Sequence, residues 1–400
     1  MARRPAEVEI LTGCIEDLED LSWSEDLTDE EQAEVERGVR EGKRLLRRAF
    51  IEAARHSRSL PAMDGYPRPE DLEPARWHAE TLWSLMKDLP EEQQLAMAGD
   101  CGSWALVERV CAESVNQASR DIERAASLAR LARAIAGKVR GPESWCARVQ
   151  GYAALHGSNI TRVAGELKAA RVDFEIAERL WNAGTDPGHV LDPGRMLDLK
   201  VSLCRDERRF EEALRLLDEA REVSHCPGRI LINKGFTLEV MGEFERAAET
   251  LLQAEPLVER LGDPRLLYML RFNLAVNYTH LGKFGEASDL VQQVCELAGE
   301  RRDENEVTRS IWLSGRIAAG LGRIEEARGL LELARREFAA RQMWYDVALA
   351  QLELVFLLLA EGRHSEVKKL ANELIEVFDS KGVHREALAA LRLFYTQRHK

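Results

Sequence analysis

Residues 273–294 read NLAVNYTHLGKFGEASDLVQQV, and this stretch decides the fold. Its central decamer, GKFGEASDLV from Gly282, has counterparts 40 residues away on either side. GEFERAAETL begins at Gly242 and GRIEEARGLL at Gly322, and GRHSEVKKLA follows at Gly362. Further copies lie upstream: GELKAARVDF from Gly165, RRFEEALRLL from Arg208, and a weaker RDIERAASLA from Arg120. Self-similarity at such a period marks a repeat array.

Each position of the copy has a physical role. The first residue is usually glycine, which supplies backbone freedom at a tight turn. The third is bulky: Leu167, Phe210, Phe244, Phe284, Ile324. The sixth is small: Ala170, Ala213, Ala247, Ala287, Ala327. Twelve residues past the turn stands Ala177, Ala220, Ala254, Val294 or Ala334. Seven residues before it stands another small residue, in Ser158, Gly235, Ala275 and Gly315. Apolar residues recur at helical spacing on both sides of the turn. Two helices that cross closely need small side chains at the contact. The predicted unit is therefore helix, tight turn, helix, and the fold class is all-α.

This pattern resembles the tetratricopeptide repeat family, with Leu274, Ala275, Tyr278, Gly282, Phe284 and Ala287 on the family's consensus positions. The resemblance covers about residues 100–380, as six fair copies and one degenerate one. Spacings of mostly 40 residues exceed the usual repeat of about 34 and resemble the long repeats of bacterial regulatory members. The resemblance implies a right-handed superhelical α-solenoid whose first helices line a concave binding face.

The expected layout is an N-terminal helical region over 1–58, a linker over 59–74, repeats over 75–380, and a capping helix with tail over 381–400. Residues 5–36 hold thirteen acidic residues and no basic one, whereas 37–58 hold eight basic and two acidic. Thr28 and Glu31 form a capping box that starts a helix of about 28 residues. Its acidic start and basic end suit the helix dipole. A helical pair is expected at about 75–99.

A composition of 45% hydrophobic and 31% charged residues fits an ordered, soluble chain. The net charge of −13 argues against general nucleic-acid binding. MARRPAEVEI lacks the apolar region of a secretory signal, and LVFLLLA (354–360) is too short to span a bilayer. A cytoplasmic location with no membrane association is expected, and the ratio of 45 Arg to 11 Lys suggests a bacterial source. Seven cysteines without CxxC spacing, and histidines scattered singly, predict no metal and no cofactor. No Walker loop, GxGxxG, HExxH or GxSxG occurs, so no catalytic residue and no intrinsic enzyme activity are expected.

Counting back thirteen, ten, nine and six residues from each turn selects the candidate groove: Asn159, Arg195, Arg229, Asn233, Phe272, Asn273, Arg309, Trp312 and Arg316. Asparagine amides can bond a ligand backbone, and arginine forks can hold carboxylates bidentately. Aromatic residues are frequent interface anchors. The expected partner is a protein or peptide with acidic groups. The acidic segment carrying Leu18, Leu21, Trp23 and Leu27 is expected either to mask this groove or to pack on the edge of the array. Long repeats can also form a homodimer through their terminal repeats. The function expected is that of a regulatory adaptor that binds or sequesters a partner such as a sigma factor. The alternatives are a small-peptide receptor and an enzyme subunit active only on assembly.

Overall fold

The capping box expected at Thr28 is formed in the structure, a computed structural model describing residues 28–57, 65–100, 102–118, 120–367 and 369–370. The Thr28 amide donates to Glu31 Oε2 at 2.9 Å, and the Glu31 amide donates back to Thr28 Oγ1 at 3.4 Å. Two orphan donors are met reciprocally, and helix α1 runs for 29 residues over Asp29–Ser57. The next helix begins earlier than expected. Helix α2 spans Pro69–Met86, so residues 69–74 are helical rather than linker. Pro69 sits in the first turn, where a missing N–H breaks no bond.

The chain divides into two compact units, Met1–Leu216 and Leu217–Lys400. Unit 1 continues with α3 (Glu91–Asp100), α4 (Trp104–Gln117), α5 (Ile122–Ala136), α6 (Glu143–Val163), α7 (Leu167–Ala183) and α8 (Pro193–Asp206). The division falls within α9 (Phe210–Val223). Unit 2 holds α10 (Pro227–Met241), α11 (Phe244–Leu261), α12 (Pro264–His280) and α13 (Phe284–Glu300). It continues through α14 (Glu304–Gly320), α15 (Ile324–Ala340) and α16 (Trp344–Ala360). Every regular element among the described residues is helical, and none of these helices is long and apolar enough to cross a membrane. The acidic segment ending at Leu27 and the capping helix expected over 381–400 lie outside the described residues.

The turns follow the sequence register. Gly165, Gly242, Gly282, Gly322 and Gly362 all have φ between 71° and 86°, and Arg208 takes the same left-handed conformation at 59°. At Gly282 the Lys283 amide reaches back to the Tyr278 carbonyl at 2.9 Å, the bond of a Schellman cap. The pairs Glu243–Leu238, Arg323–Ala318 and Arg209–Cys204 close the other turns in the same way.

Packing follows the register too. The alanines at the sixth position, and the Ala or Val at the twelfth, are fully buried. At Gly235 an added Cβ would lie 2.7 Å from Leu251 Cγ, and at Gly315 it would lie 2.8 Å from Leu331 Cγ. Both distances are below contact, so these crossings admit no side chain without movement. Unit 1 builds its core from Leu106, Leu131, Trp145, Leu155, Phe174 and Leu203 among others. Unit 2 is held by a series of smaller clusters between successive helices.

A left-handed conformation costs an L-residue with a Cβ about 1 kcal/mol, and glycine nothing comparable. Gly282→Ala should therefore lower unfolding stability by about 1 kcal/mol. Arg208→Gly should leave it unchanged or raise it by up to about as much. Denaturant midpoints read both effects. A loss of stability in Arg208→Gly matching that of Gly282→Ala would contradict the turn geometry.

Candidate ligand-binding face

The two units cover the selected positions to different extents, and unit 1 seals one of its pair. Asn159 on α6 is 3% exposed, and its Oδ1 accepts a bond from Arg162 Nε at 3.1 Å. Arg195 on α8 donates to Asp198 Oδ2 at 2.7 Å, and that aspartate is itself buried. Neighbouring inner residues Tyr152 and Leu155 are buried as well. Asn159 is thus sealed within unit 1, contrary to its expected place in an open groove, while Arg195 is half-buried with its guanidinium engaged by a carboxylate of its own helix.

Unit 2 keeps its selected face partly open. Helices α10, α12, α14 and α16 are the first helices of successive pairs and pack side by side. Phe236, Met269, Phe272, Trp312, Leu349, Leu352 and Phe356 stand on them half-buried. Arg229, Asn233, Asn273, Arg309 and Arg316 are half-buried among them. Phe272 stacks on Tyr268 with ring centroids 5.6 Å apart. The Arg316 guanidinium lies 5.0 Å from the Trp312 ring centroid, a cation–π contact.

Two of the arginine forks expected to hold an acidic ligand, those of Arg309 and Arg316, are already engaged. Arg309 Nε donates to Asp346 Oδ1 at 3.2 Å, and Arg316 Nε lies 2.8 Å from Glu353 Oε1. Each carboxylate stands 37 residues beyond its arginine, on the next inner helix. These bonds run across neighbouring helices and set their spacing.

A second polar group stands where counting did not look, three and five residues before the turns. Asn277 is completely buried on α12. Its Nδ2 donates to Glu239 Oε2 on α10 at 3.0 Å and to the Asn273 carbonyl at 2.8 Å. Burial pushes the Glu239 carboxyl up to about 7, although the Asn277 bond and the Arg316 charge pull the other way. Burial likewise raises Glu353 against the pull of Arg316. His280 stacks on Phe244 with centroids 4.2 Å apart and planes within 4°. Although the residue is exposed on one side, its imidazole is pushed down to about 4, by burial against the neighbouring helix first and then by Arg316, so it is neutral near pH 7.

No family model matches the chain. Among curated proteins, the Tonsoku-like protein of Danio rerio is 24% identical over 205 residues, covering 47% of this chain and 14% of that protein. The mitochondrial tetratricopeptide repeat protein 19 of Mus musculus is 28% identical over 119 residues, covering 29% of this chain and 32% of that protein. The chain thus spans about a third or less of these curated relatives. A Rap protein solved with competence and sporulation factor superposes with a TM-score of 0.55 at 12% identity, over 69% of this chain and 77% of that one. A signal-transduction ATPase with a tetratricopeptide repeat sensor, from Pyrococcus horikoshii, gives 0.52 at 16% identity, over 79% and 47%. The turns, the small-residue crossings and these neighbours define the class: the chain has the tetratricopeptide-repeat fold. Its best-preserved repeats are of the long, 40-residue kind, at Gly242, Gly282, Gly322 and Gly362.

Glu239 carries a pH signature. Its carboxyl shifts from an ordinary 4.5 to about 7, so the folded chain holds the proton more tightly than the unfolded one. That contribution to stability is complete below pH 4.5 and is lost as pH rises through 7. Glu239→Gln removes the loss. The stability gained over the native chain should be near zero at pH 4.5 and should grow towards the order of 3 kcal/mol above pH 7. A gain that stays flat across paired denaturant titrations would show that Glu239 ionises as an ordinary carboxyl.

Proposed function

We propose that this chain is a non-catalytic regulatory adaptor, binding a segment of a protein partner along the inner face of unit 2. The observation that carries the proposal is the row Phe236, Phe272, Trp312 and Phe356, one half-buried aromatic on each of four successive inner helices. Large rigid rings offer much contact area for little ordering entropy. Packed helices stand about 8–10 Å apart. An extended ligand advances about 3.3 Å per residue, so it meets a new helix roughly every third residue. About nine to ten residues would then cross all four.

Asn233 and Asn273 occupy one register position on consecutive inner helices, α10 and α12, and carry amides suited to a ligand backbone. The Rap neighbour, solved with competence and sporulation factor, supports reading this fold as one that takes up a ligand. Signalling through such capture, in a bacterial cytoplasm, is the setting this reading proposes.

The test compares the full chain with a Phe272→Ala, Trp312→Ala, Phe356→Ala variant, each immobilised and exposed to extract from the cells that make the protein. The native chain should retain a defined partner. The variant, shown to be helical by circular dichroism, should bind that purified partner at least ~100-fold more weakly. Equal affinity for the two would refute this face as the binding surface.

A further inference from the structure

We propose that the inner face of unit 2 contains a subsite for a protonated amine or guanidinium, formed by Glu239 and Asn277. This inference rests on the peptide-binding reading above and assigns the charge of what that face receives.

The local charges set the sign. Glu239 on α10, Arg316 on α14 and Glu353 on α16 are the charged groups of the cluster, and His280 on α12 is neutral near pH 7. Two carboxyls therefore share one guanidinium. Arg316 gives its direct bond to Glu353 and lays its plane against Trp312. Glu239 receives only the longer-range field of Arg316 and the neutral amide of Asn277.

The hydrogen bonds set the chemistry. Both amide hydrogens of Asn277 are used, on Glu239 Oε2 and on the Asn273 carbonyl. Its Oδ1 is buried with no partner among the described residues. Turning the amide over offers no full relief, because Oδ1 would then face the Asn273 carbonyl, which can only accept. The unmet demand at this point is for a hydrogen-bond donor. An ammonium offers three and a guanidinium five. Either can satisfy a carboxylate oxygen and an adjacent amide oxygen together, and each brings the positive charge that the pair of carboxyls lacks. An acidic side chain would set acceptors against acceptors. Glu239 is only half-buried, so an entering group can approach its carboxyl, and Asn277, completely buried one hydrogen bond further in, is reached with a local shift of the side chains around it. At this point the face selects for positive charge, whereas its arginine content alone suggested an acidic ligand.

The full chain is immobilised and offered two pools of random decapeptides with amidated C-termini, one pool acetylated at the N-terminus and one with a free α-amine. Retained peptides are sequenced. In the acetylated pool, Lys and Arg should be enriched over Asp and Glu at one position by about tenfold, and Glu239→Gln should abolish the preference. Glu239→Asp, which keeps the charge, should retain part of it. Enrichment confined to the free-amine pool and lost in Glu239→Gln supports the same subsite, occupied by a peptide's own N-terminus. Enrichment of Asp and Glu, no charge preference, or a preference unchanged in Glu239→Gln would each overturn the subsite. All three leave the peptide-binding reading intact, whereas retention of no peptide from either pool would overturn both.

Discussion

The closest approach between the two helices of a pair is the constraint on which unit 2 depends. At Gly235 and Gly315 the first helix meets Leu251 and Leu331 so tightly that a single added carbon would lie under 3 Å from the leucine side chain. Ala247, Ala287 and Ala327 face the same crossing from the second helix and are wholly buried. Interior packing is as dense as an organic crystal, so such contacts are either met or felt. A pair locked at this distance presents its first helix at a set rotation. The side chains ten and six residues before the turn then stand on one face in every pair.

That rotation explains why polar side chains could be placed between helices rather than on their outer surfaces. Arg309 and Arg316 lie two turns apart on α14 and reach Asp346 and Glu353, two turns apart on α16. Such partly buried pairs are costly to desolvate, and breaking one strands the remaining charge. Their value lies in register: a slip of one helix past its neighbour would separate both pairs together. One of these pairs also supports an aromatic of the same face, since the Arg316 guanidinium lies against the Trp312 ring.

Much of the fold was legible in the sequence, because its determinants are local. A glycine that must take positive φ, an alanine at a crossing and a bulky residue two places past the turn each announce themselves within one copy. Arg208, Arg302 and Gln342 hide turns behind ordinary side chains, and the flanking copies still locate the first of them. The face was less legible. Counting six residues back from the turn places Asn159 and Arg316 alike, yet one is sealed and the other half-buried, because neighbouring elements decide coverage. Arg309 and Arg316 looked available for the same reason: their partners lie 37 residues away. The equal separation of Arg309–Asp346 and Arg316–Glu353 was the one signal of pairing, readable only by comparing charges across repeats. The 69–74 segment misled through composition, since Pro69 at a helix start is favourable while its neighbours resemble a loop.

The register also isolates what packing does not explain. The position five residues before the turn is Thr237 on α10, Asn277 on α12, Ile317 on α14 and Leu357 on α16. All four are buried. Isoleucine and leucine fill the site with carbon, and Thr237 returns its hydroxyl to the Asn233 carbonyl at 2.8 Å. The helix crossing therefore has no need of an amide. Asn277 alone brings an acceptor that its surroundings leave unmet, and such an orphan costs about 1–3 kcal/mol. Placing it beside Glu239, a carboxyl itself raised by burial, compounds the cost in the same small volume. Two neighbouring penalties of the same sign, both relieved by one donor, are better explained by a ligand than by the stability of the helices that carry them.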